Sequence, residues 1–433
     1  MKQRVFVTGA TGGMGFASLK EMLKDTDKQD IVILARDSEK NRSLLAPYLQ
    51  TKGFSVEWGD LNDYEVVKKC VKDCDIVLHI AAFVSPAADY YPERAMKVNY
   101  GSTKNIINAI YDCGQENSTR LVYIGTVAET GDRMPPIHWG RVGDPIKPSM
   151  FDYYAVSKVA AERLVIESGL KYWVSLRQTG IIGKAMSEIN DAIMFHNCFD
   201  NVLEYCSDRD SARAMKNLCA FFHDGTLPEE FWGHIYNIGG GPSCRTDTYS
   251  MFEVLYGEIG LKKLDYILSP KKQATLNFHG HYYLDSDKLE NYLHFRHDSM
   301  QYYYDCYLEM LGGLRTVSRV ICKLPGGQKL MGGIMRKRFD QLARTEHGTL
   351  HFIEDNVEDH IDAYWGSRKR WEALPEKLSE MEHFTDWDKV VPIDHGYDEE
   401  KPESELCYDD MKRAPEFRGG KLLSKTMTTG EWE

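Results

Sequence analysis

Three glycines spaced by three, Gly9, Gly12 and Gly15, stand in the run Thr8-Gly9-Ala10-Thr11-Gly12-Gly13-Met14-Gly15. The apolar stretch Val5-Phe6-Val7 precedes them, and a stretch with Phe16, Leu19, Met22 and Leu23 on one helical face follows. A chain that turns tightly from strand to helix while another group approaches its backbone needs residues without a Cβ. The free N–H groups and positive end of the helix that follows suit a phosphate. In this strand–turn–helix setting the spacing reads as a dinucleotide-binding turn, with Gly9, Thr11, Gly12, Gly13, Met14 and Gly15 as candidate contacts.

The alternation continues for about 180 residues. Short apolar runs at 31–35, 55–58, 76–80, 121–124 and 173–177 read as strands, and 14–23, 64–72, 95–111 and 154–168 as helices. Helices of this length between strands imply right-handed crossovers and a parallel sheet covered on both faces. The expected class is therefore α/β, a doubly wound parallel sheet or Rossmann fold. Residues 1–182 are expected to form the dinucleotide-binding domain, with 211–240 returning to it as a helix at 211–222 and a strand at 234–238. Residues 183–323, including a helix at 249–259, are expected to form a smaller, interleaved α/β substrate-binding region. Residues 324–433 form a C-terminal extension without an assigned role.

With 53 basic and 65 acidic residues the net charge is −12, a field that argues against a nucleic-acid partner. The ten cysteines, from Cys70 to Cys407, contain no C-x-x-C pair, which suits a reducing cytoplasm and excludes a zinc ribbon. His279, His281, His294 and His297 lack acidic or cysteine partners at a metal-ligand spacing, so no metal is expected. The strand-like run at 5–7 leaves no room for a leader, and no apolar stretch has the ~20 residues of a membrane span.

The end of the second strand selects between dinucleotides. An acidic side chain there binds the ribose hydroxyls of NAD, whereas a nearby Arg accommodates the extra phosphate of NADP. The sequence reads Leu34-Ala35-Arg36-Asp37, with alanine where the acid belongs and Arg36 next to it. NADP(H) is therefore expected over NAD(H), with Asp37 taking the acid's role as the alternative.

Tyr154 and Lys158 lie four positions apart, on one helical face. A phenol has a pKa near ~10 and is a poor acid–base group at neutral pH, and an ammonium nearby favours its ionised form. Such a pair can protonate a developing alkoxide or deprotonate an alcohol. Thr126 stands at the C-terminal end of the strand 121–124, the edge where open α/β sheets bind ligands, and is a candidate hydrogen-bond donor to the substrate oxygen.

Eight blocks together resemble the extended branch of the short-chain dehydrogenase/reductase superfamily, which includes the NAD-dependent epimerase/dehydratase family. They are TGATGGMG at 8–15, GDLND at 59–63, HIAA at 79–82, VNYGSTKN at 98–105, YIGTVAETG at 123–131, YYAVSK at 153–158, LRQTGIIG at 176–183 and, more faintly, YNIGGG at 236–241. The resemblance implies that Tyr154 is the acid–base residue, that Lys158 also holds the nicotinamide ribose, and that Thr126 is the active-site hydroxyl. It further implies Asp60 and Leu61 beside the adenine, Ala81 and Ala82 along the ribose and pyrophosphate, Asn99 after the fourth strand, and Thr179, Gly180 and Ile181 near the carboxamide. Homodimers are usual in such a family. Phe195, His196, Tyr205 and Arg209 are candidate walls of the substrate pocket.

Dehydratases of the family carry an Asp-Glu pair directly after the active-site Thr, where this chain has Val127 and Ala128, and Glu129 comes one position late. The expected activity is an NADPH-linked reduction of a small-molecule carbonyl, or the reverse alcohol oxidation. The alternatives are a nucleotide-sugar epimerase with bound NAD and a non-catalytic NADP-sensing protein.

Overall fold

A computed structural model describes residues 2–391; Cys407 and the rest of the tail from 392 to 433 lie outside the described residues. Seven parallel strands form the central sheet: β1 (Gln3–Thr8), β2 (Gln29–Ala35), β3 (Phe54–Trp58), β4 (Ile76–His79), β5 (Arg120–Thr126), β6 (Tyr172–Gln178) and β7 (His234–Ile238), in the order β7-β6-β5-β4-β1-β2-β3. In β1, Val5 pairs with Ile31 on one side and Ile76 on the other, so the first strand is central and buried on both faces.

Side chains leave a strand alternately to its two faces, and each face here meets its own helical layer. Val5, Val7, Ile31, Ile33 and Leu78 pack with Leu19 and Met22 of α1 (Gly13–Met22) and with Met215 and Leu218 of a second helix, Asp208–His223. Phe6, Val32, Leu34, Val77 and Leu121 pack on the other face, against α3 (Tyr64–Val71), α4 (Gly101–Asp112) and α5 (Tyr153–Ile166). Between β2 and β3 lies α2 (Glu39–Leu45), which the apolar periodicity does not show; its signal is the cap Ser38, whose hydroxyl accepts the Asn41 N–H at 3.2 Å. Asp208–His223, labelled α6, and β7 both belong to this assembly.

The helix expected over 95–111 is instead a helical turn, Pro92–Ala95, running into a π-helical turn, Met96–Tyr100, and then α4. β1 and β4 are neighbours whose following crossovers run to opposite sides, the switch point at which such sheets open a ligand crevice.

Three two-stranded pairs tie the remainder together: Ile181–Ile182 with Cys206–Ser207, Val202–Glu204 with Arg245–Asp247, and Trp139–Gly140, from the loop between β5 and α5, with Tyr282–Tyr283. A second core gathers Leu203, Tyr205, Phe252, Leu255 and Ile267 with Tyr303 of α8 (Met300–Leu311), under α7 (Thr248–Glu258). A hairpin of α9 (Gly313–Lys323) and α10 (Gly327–Ala343) covers it with Met331, Met335 and Phe339. Finally α11 (Thr349–Glu354) and α12 (Glu358–Trp365) bring Phe352, Ile361, Tyr364 and Trp365 into a smaller core with Cys198 and Ala274.

Candidate active site

The glycine turn is shaped for close approach. Gly9 has φ +73°, and a Cβ there would lie 2.7 Å from the Ala81 backbone; one on Gly15 would collide with the Gly9 carbonyl. Gly12 and Gly13 are exposed, and a Cβ on Gly13 would meet nothing within 4 Å, so the crest of the turn is open. Gly12 caps α1 without a side-chain acceptor, which leaves helix N–H groups directed at the crevice. Ala81 is held against the turn by its N–H bond to the Thr8 hydroxyl, 3.1 Å, and Thr8 bonds His79 Nδ1 at 2.9 Å. Burial pushes His79 down to about 3, so this bridge to Thr103 is a neutral imidazole. Thr11 and Ala82 are half-buried nearby and Met14 is buried. The donor set and the missing Cβ atoms fit a pyrophosphate.

At the adenosine end Arg36 is exposed just past β2. Asp37 is engaged elsewhere: Arg42 donates to both of its oxygens, at 2.6 and 2.8 Å, and that hydrogen bond holds the carboxyl below its usual range. Asp60 Oδ1 accepts the N–H and the side-chain amide of Asn62, and half-buried Leu61 gives its carbonyl to Asn105.

Tyr154, Lys158 and Thr126 converge where β5 meets α5. Asp152 caps the helix by accepting the Ala155 N–H at 2.8 Å, and the Tyr154 N–H donates to Asp89 Oδ1 at 3.1 Å. The Thr126 side chain lies within reach of the Tyr154 phenol. Lys158 is buried, donates from Nζ to the Ile124 carbonyl at 2.6 Å and stands 4.1 Å from the Tyr123 ring centroid. Burial pushes Lys158 down to about 8, with Glu129 and Glu162 opposing. It also pushes the Tyr154 phenol up, and the contact that favours the phenolate is Thr126. The sequence assigns that task to Lys158, whose ammonium is instead directed at the Ile124 carbonyl and the Tyr123 ring.

Beneath this trio lies a buried charge cluster that the sequence reading missed. Glu129 Oε1 accepts the Thr126 N–H at 3.1 Å, completing a capping box, and its Oε2 lies 3.2 Å from Arg177 Nε. Arg177 also grips Glu162, at 2.7 and 3.1 Å, and Ser175 donates to the same carboxylate. Burial and then Glu162 raise Glu129 well above the carboxylate range; for Glu162 burial is outweighed by the hydrogen bonds and charge of Arg177 together with Glu129 and Ser175. A glutamate turned inward in this way is not the displaced partner of a dehydratase pair, and Val127 and Ala128 are buried beside it.

Asn99 is a clamp. Its Oδ1 accepts the Phe83 N–H at 2.7 Å, and its Nδ2 donates to the Phe83 carbonyl at 3.0 Å and to the Ser157 hydroxyl at 2.8 Å. The π-helical turn is what carries Asn99 inward. Thr179 is buried past β6 with its N–H on Ile238, Gly180 packs against the Tyr205 ring, and Ile181 starts a short strand with Cys206.

A cavity of about 470 Å³ opens beside the start of α5. Asp89, Tyr90, Phe151, Asp152 and Tyr153 line one side, and Ile193, His196, Phe278 and His279 another; His347, His351, Phe352, His360 and Tyr364 of the C-terminal part close it. His347 stacks on Tyr90 at 3.6 Å and His360 on Phe151 at 3.9 Å. Burial pushes His196 down to about 4 and Asp89 up to about 6, the latter with help from Asp152. Of the expected pocket walls, His196 faces the cavity. Phe195 is buried against Phe339, Tyr205 sits under Gly180, and Arg209 lies elsewhere, over the Tyr302 ring and paired with Asp298. Among the described residues no group of three or more His, Cys, Asp or Glu is arranged to hold a metal ion.

Comparison with known proteins sets this geometry in a family. A curated 3 beta-hydroxysteroid dehydrogenase/Delta 5-->4-isomerase from vaccinia virus (strain Ankara) is 29% identical over 278 residues, 58% of this chain and 74% of the relative. One of the same name from Mycobacterium tuberculosis (strain CDC 1551 / Oshkosh) is 30% identical over 211 residues, 46% of this chain and only 52% of that protein. Among solved structures, a dTDP-glucose 4,6-dehydratase from Streptomyces venezuelae with NAD and TYD bound superposes with a TM-score of 0.54 at 20% identity, over 72% of this chain and 98% of its own, a likeness of fold. The description NAD dependent epimerase/dehydratase family matches residues 5–226, half of the sequence, and the chain belongs to that family.

Proposed function

We propose that this protein is an NADP(H)-preferring oxidoreductase that interconverts a secondary alcohol and a ketone on a neutral, largely apolar ring system. Hydroxysteroids, the class in the names of the two curated relatives, are the first such compounds to try. The observation that carries this reading is the cavity beside the start of the helix that bears Tyr154, whose lining contains no Lys or Arg among the described residues. A nucleoside diphosphate requires cationic or amide clamps that this wall does not offer. Its aromatic rings and imidazoles suit an uncharged, hydroxyl-bearing body, and the volume falls in the usual range of roughly 300–1,000 Å³.

When bound, the nicotinamide gives or takes the hydride. Thr126 orients the substrate oxygen, Tyr154 passes it a proton or removes one, and Lys158 sets the charge of the enclosed site and holds the ribose. Arg36 meets the adenosine 2′-phosphate while Asp37 stays with Arg42. Burial of the phenol keeps it protonated in the resting state, which suits proton donation to a carbonyl.

The test is a coupled assay with NADP⁺ and NAD⁺ against hydroxysteroids, other neutral secondary alcohols and UDP-sugars. Tyr154→Phe should lower turnover by about 10²–10⁴-fold and leave dinucleotide affinity within about twofold. Turnover of a UDP-sugar with copurifying NAD would replace this reading with an epimerase. Binding of NADPH with no turnover of any carbonyl would leave a sensor.

A further inference from the structure

We propose that the outer face of the α9–α10 hairpin docks this protein on an anionic lipid bilayer. The proposal is independent of the catalytic reading.

The inner face of the hairpin is fully used. Ser318 donates to the Ile259 carbonyl at 2.7 Å, Cys322 is buried against Gly260, and Gly332 is buried against Tyr266. The outer face carries Leu314, Val317, Val320 and Leu324 on α9 and its turn, and Leu330 and Ile334 on α10. Each of the six is between 55% and 69% exposed. At helical spacing the four residues from Leu314 to Leu324 make one stripe, and the two on α10 extend it across the hairpin. Single exposed apolar residues are ordinary, whereas a contiguous set on two adjoining helices marks an interaction surface.

Charge identifies the partner. Residues 312–344 hold eight Lys and Arg and a single carboxylate, in a chain whose net charge is −12. That carboxylate, Asp340, is ion-paired with Lys272, and Arg315 and Arg319 face Glu258. Lys323, Lys329, Lys337 and Arg338 are exposed around the apolar stripe. An apolar stripe rimmed by basic residues is the form of a helix lying in the headgroup layer of an anionic membrane. A second copy of the chain fits poorly, because a two-fold contact through this face would set its lysines against themselves. Among the described residues no helix is long and apolar enough to cross a membrane, so the contact is peripheral. The far end of α10 packs on the segment before His196, with Phe339 6.0 Å from Phe195 and Arg338 bonded to Asn190.

The experiment is cosedimentation of the full chain with vesicles of phosphatidylcholine alone and of phosphatidylcholine with about 30% phosphatidylglycerol, at about 0.1 M salt. Binding at least about tenfold stronger to the anionic vesicles is expected, falling steeply as salt rises. A Val317→Asn, Leu330→Asn, Ile334→Asn triple variant and a Lys323→Glu, Lys329→Glu, Lys337→Glu triple variant should each lose about tenfold or more, since one basic contact accounts for about fivefold. Both should keep the melting temperature and dinucleotide affinity of the wild type. No binding, equal binding to the two vesicle types, or binding that survives both triple variants overturns the proposal. So does sedimentation velocity in which the wild type is a dimer and the asparagine variant a monomer, which would make this face a subunit interface.

Discussion

Glu129 and Arg177 meet at 3.2 Å in the interior, at 0% and 3% exposure, directly under the strand end that presents Thr126. Two carboxylates, Glu129 and Glu162, share this guanidinium, and Lys158 feels both. A buried charge left without its partner is costly, so the cluster holds the catalytic corner in one arrangement.

Glu129→Gln keeps an acceptor for the Thr126 N–H but removes a carboxyl that, once ionised above its raised value, supports the Lys158 ammonium. The alkaline limb of the pH–rate profile, expected near 8 in the wild type, should move down by about half a unit to one unit. Glu129→Ala, which leaves the Thr126 N–H without its acceptor and takes one of two carboxylates from Arg177, should cost about 1–3 kcal/mol in denaturant unfolding.

Lys158 also leaves a mark on stability. Its value is depressed from an ordinary 10.5 to about 8, so between these pH values the unfolded chain binds a proton that the folded chain has released. Stability from this group therefore rises with pH across that window. Melting curves of wild type and Lys158→Met should diverge in the wild type's favour from pH 8 upward; parallel curves would contradict the depressed value.

Gly13 and Gly15 separate binding from folding. A Cβ on Gly13 meets no protein atom within 4 Å, whereas one on Gly15 strikes the turn itself. Gly13→Ala should leave the melting temperature unchanged and weaken the dinucleotide about tenfold or more, because the methyl stands where the phosphate approaches. Gly15→Ala should lower both, as calorimetry and dinucleotide titration would show.

Arg36→Ala tests the cofactor preference. The side chain is exposed, so stability should hold, while NADPH affinity should fall about tenfold and NADH affinity stay level. Equal losses for the two dinucleotides would assign Arg36 no part in the choice.

What the sequence made legible follows a physical divide. The glycine turn, the parallel sheet and the Tyr154–Lys158 spacing are local patterns, each written within a few residues. The Glu129 cluster is not: in Val127-Ala128-Glu129-Thr130 one glutamate reads as a surface residue, and its partners come from positions 162 and 177. The cavity is closed by His347, His360 and Tyr364, brought against Tyr90 and Phe151 by a core that includes Cys198 and Ala274. No periodicity announces a meeting of segments some 200 residues apart. Ser38 was a readable signal for α2, and its helix is too short for the apolar pattern to register.

The amide of Asn99 binds the backbone N–H and carbonyl of Phe83 and the Ser157 hydroxyl next to Lys158. One side chain thereby staples the segment leaving β4, against which a dinucleotide would rest, to the helix that carries the phenol. The seat and the acid–base group are then a single rigid part, and any adjustment to fit a new ligand has to come from the opposite wall.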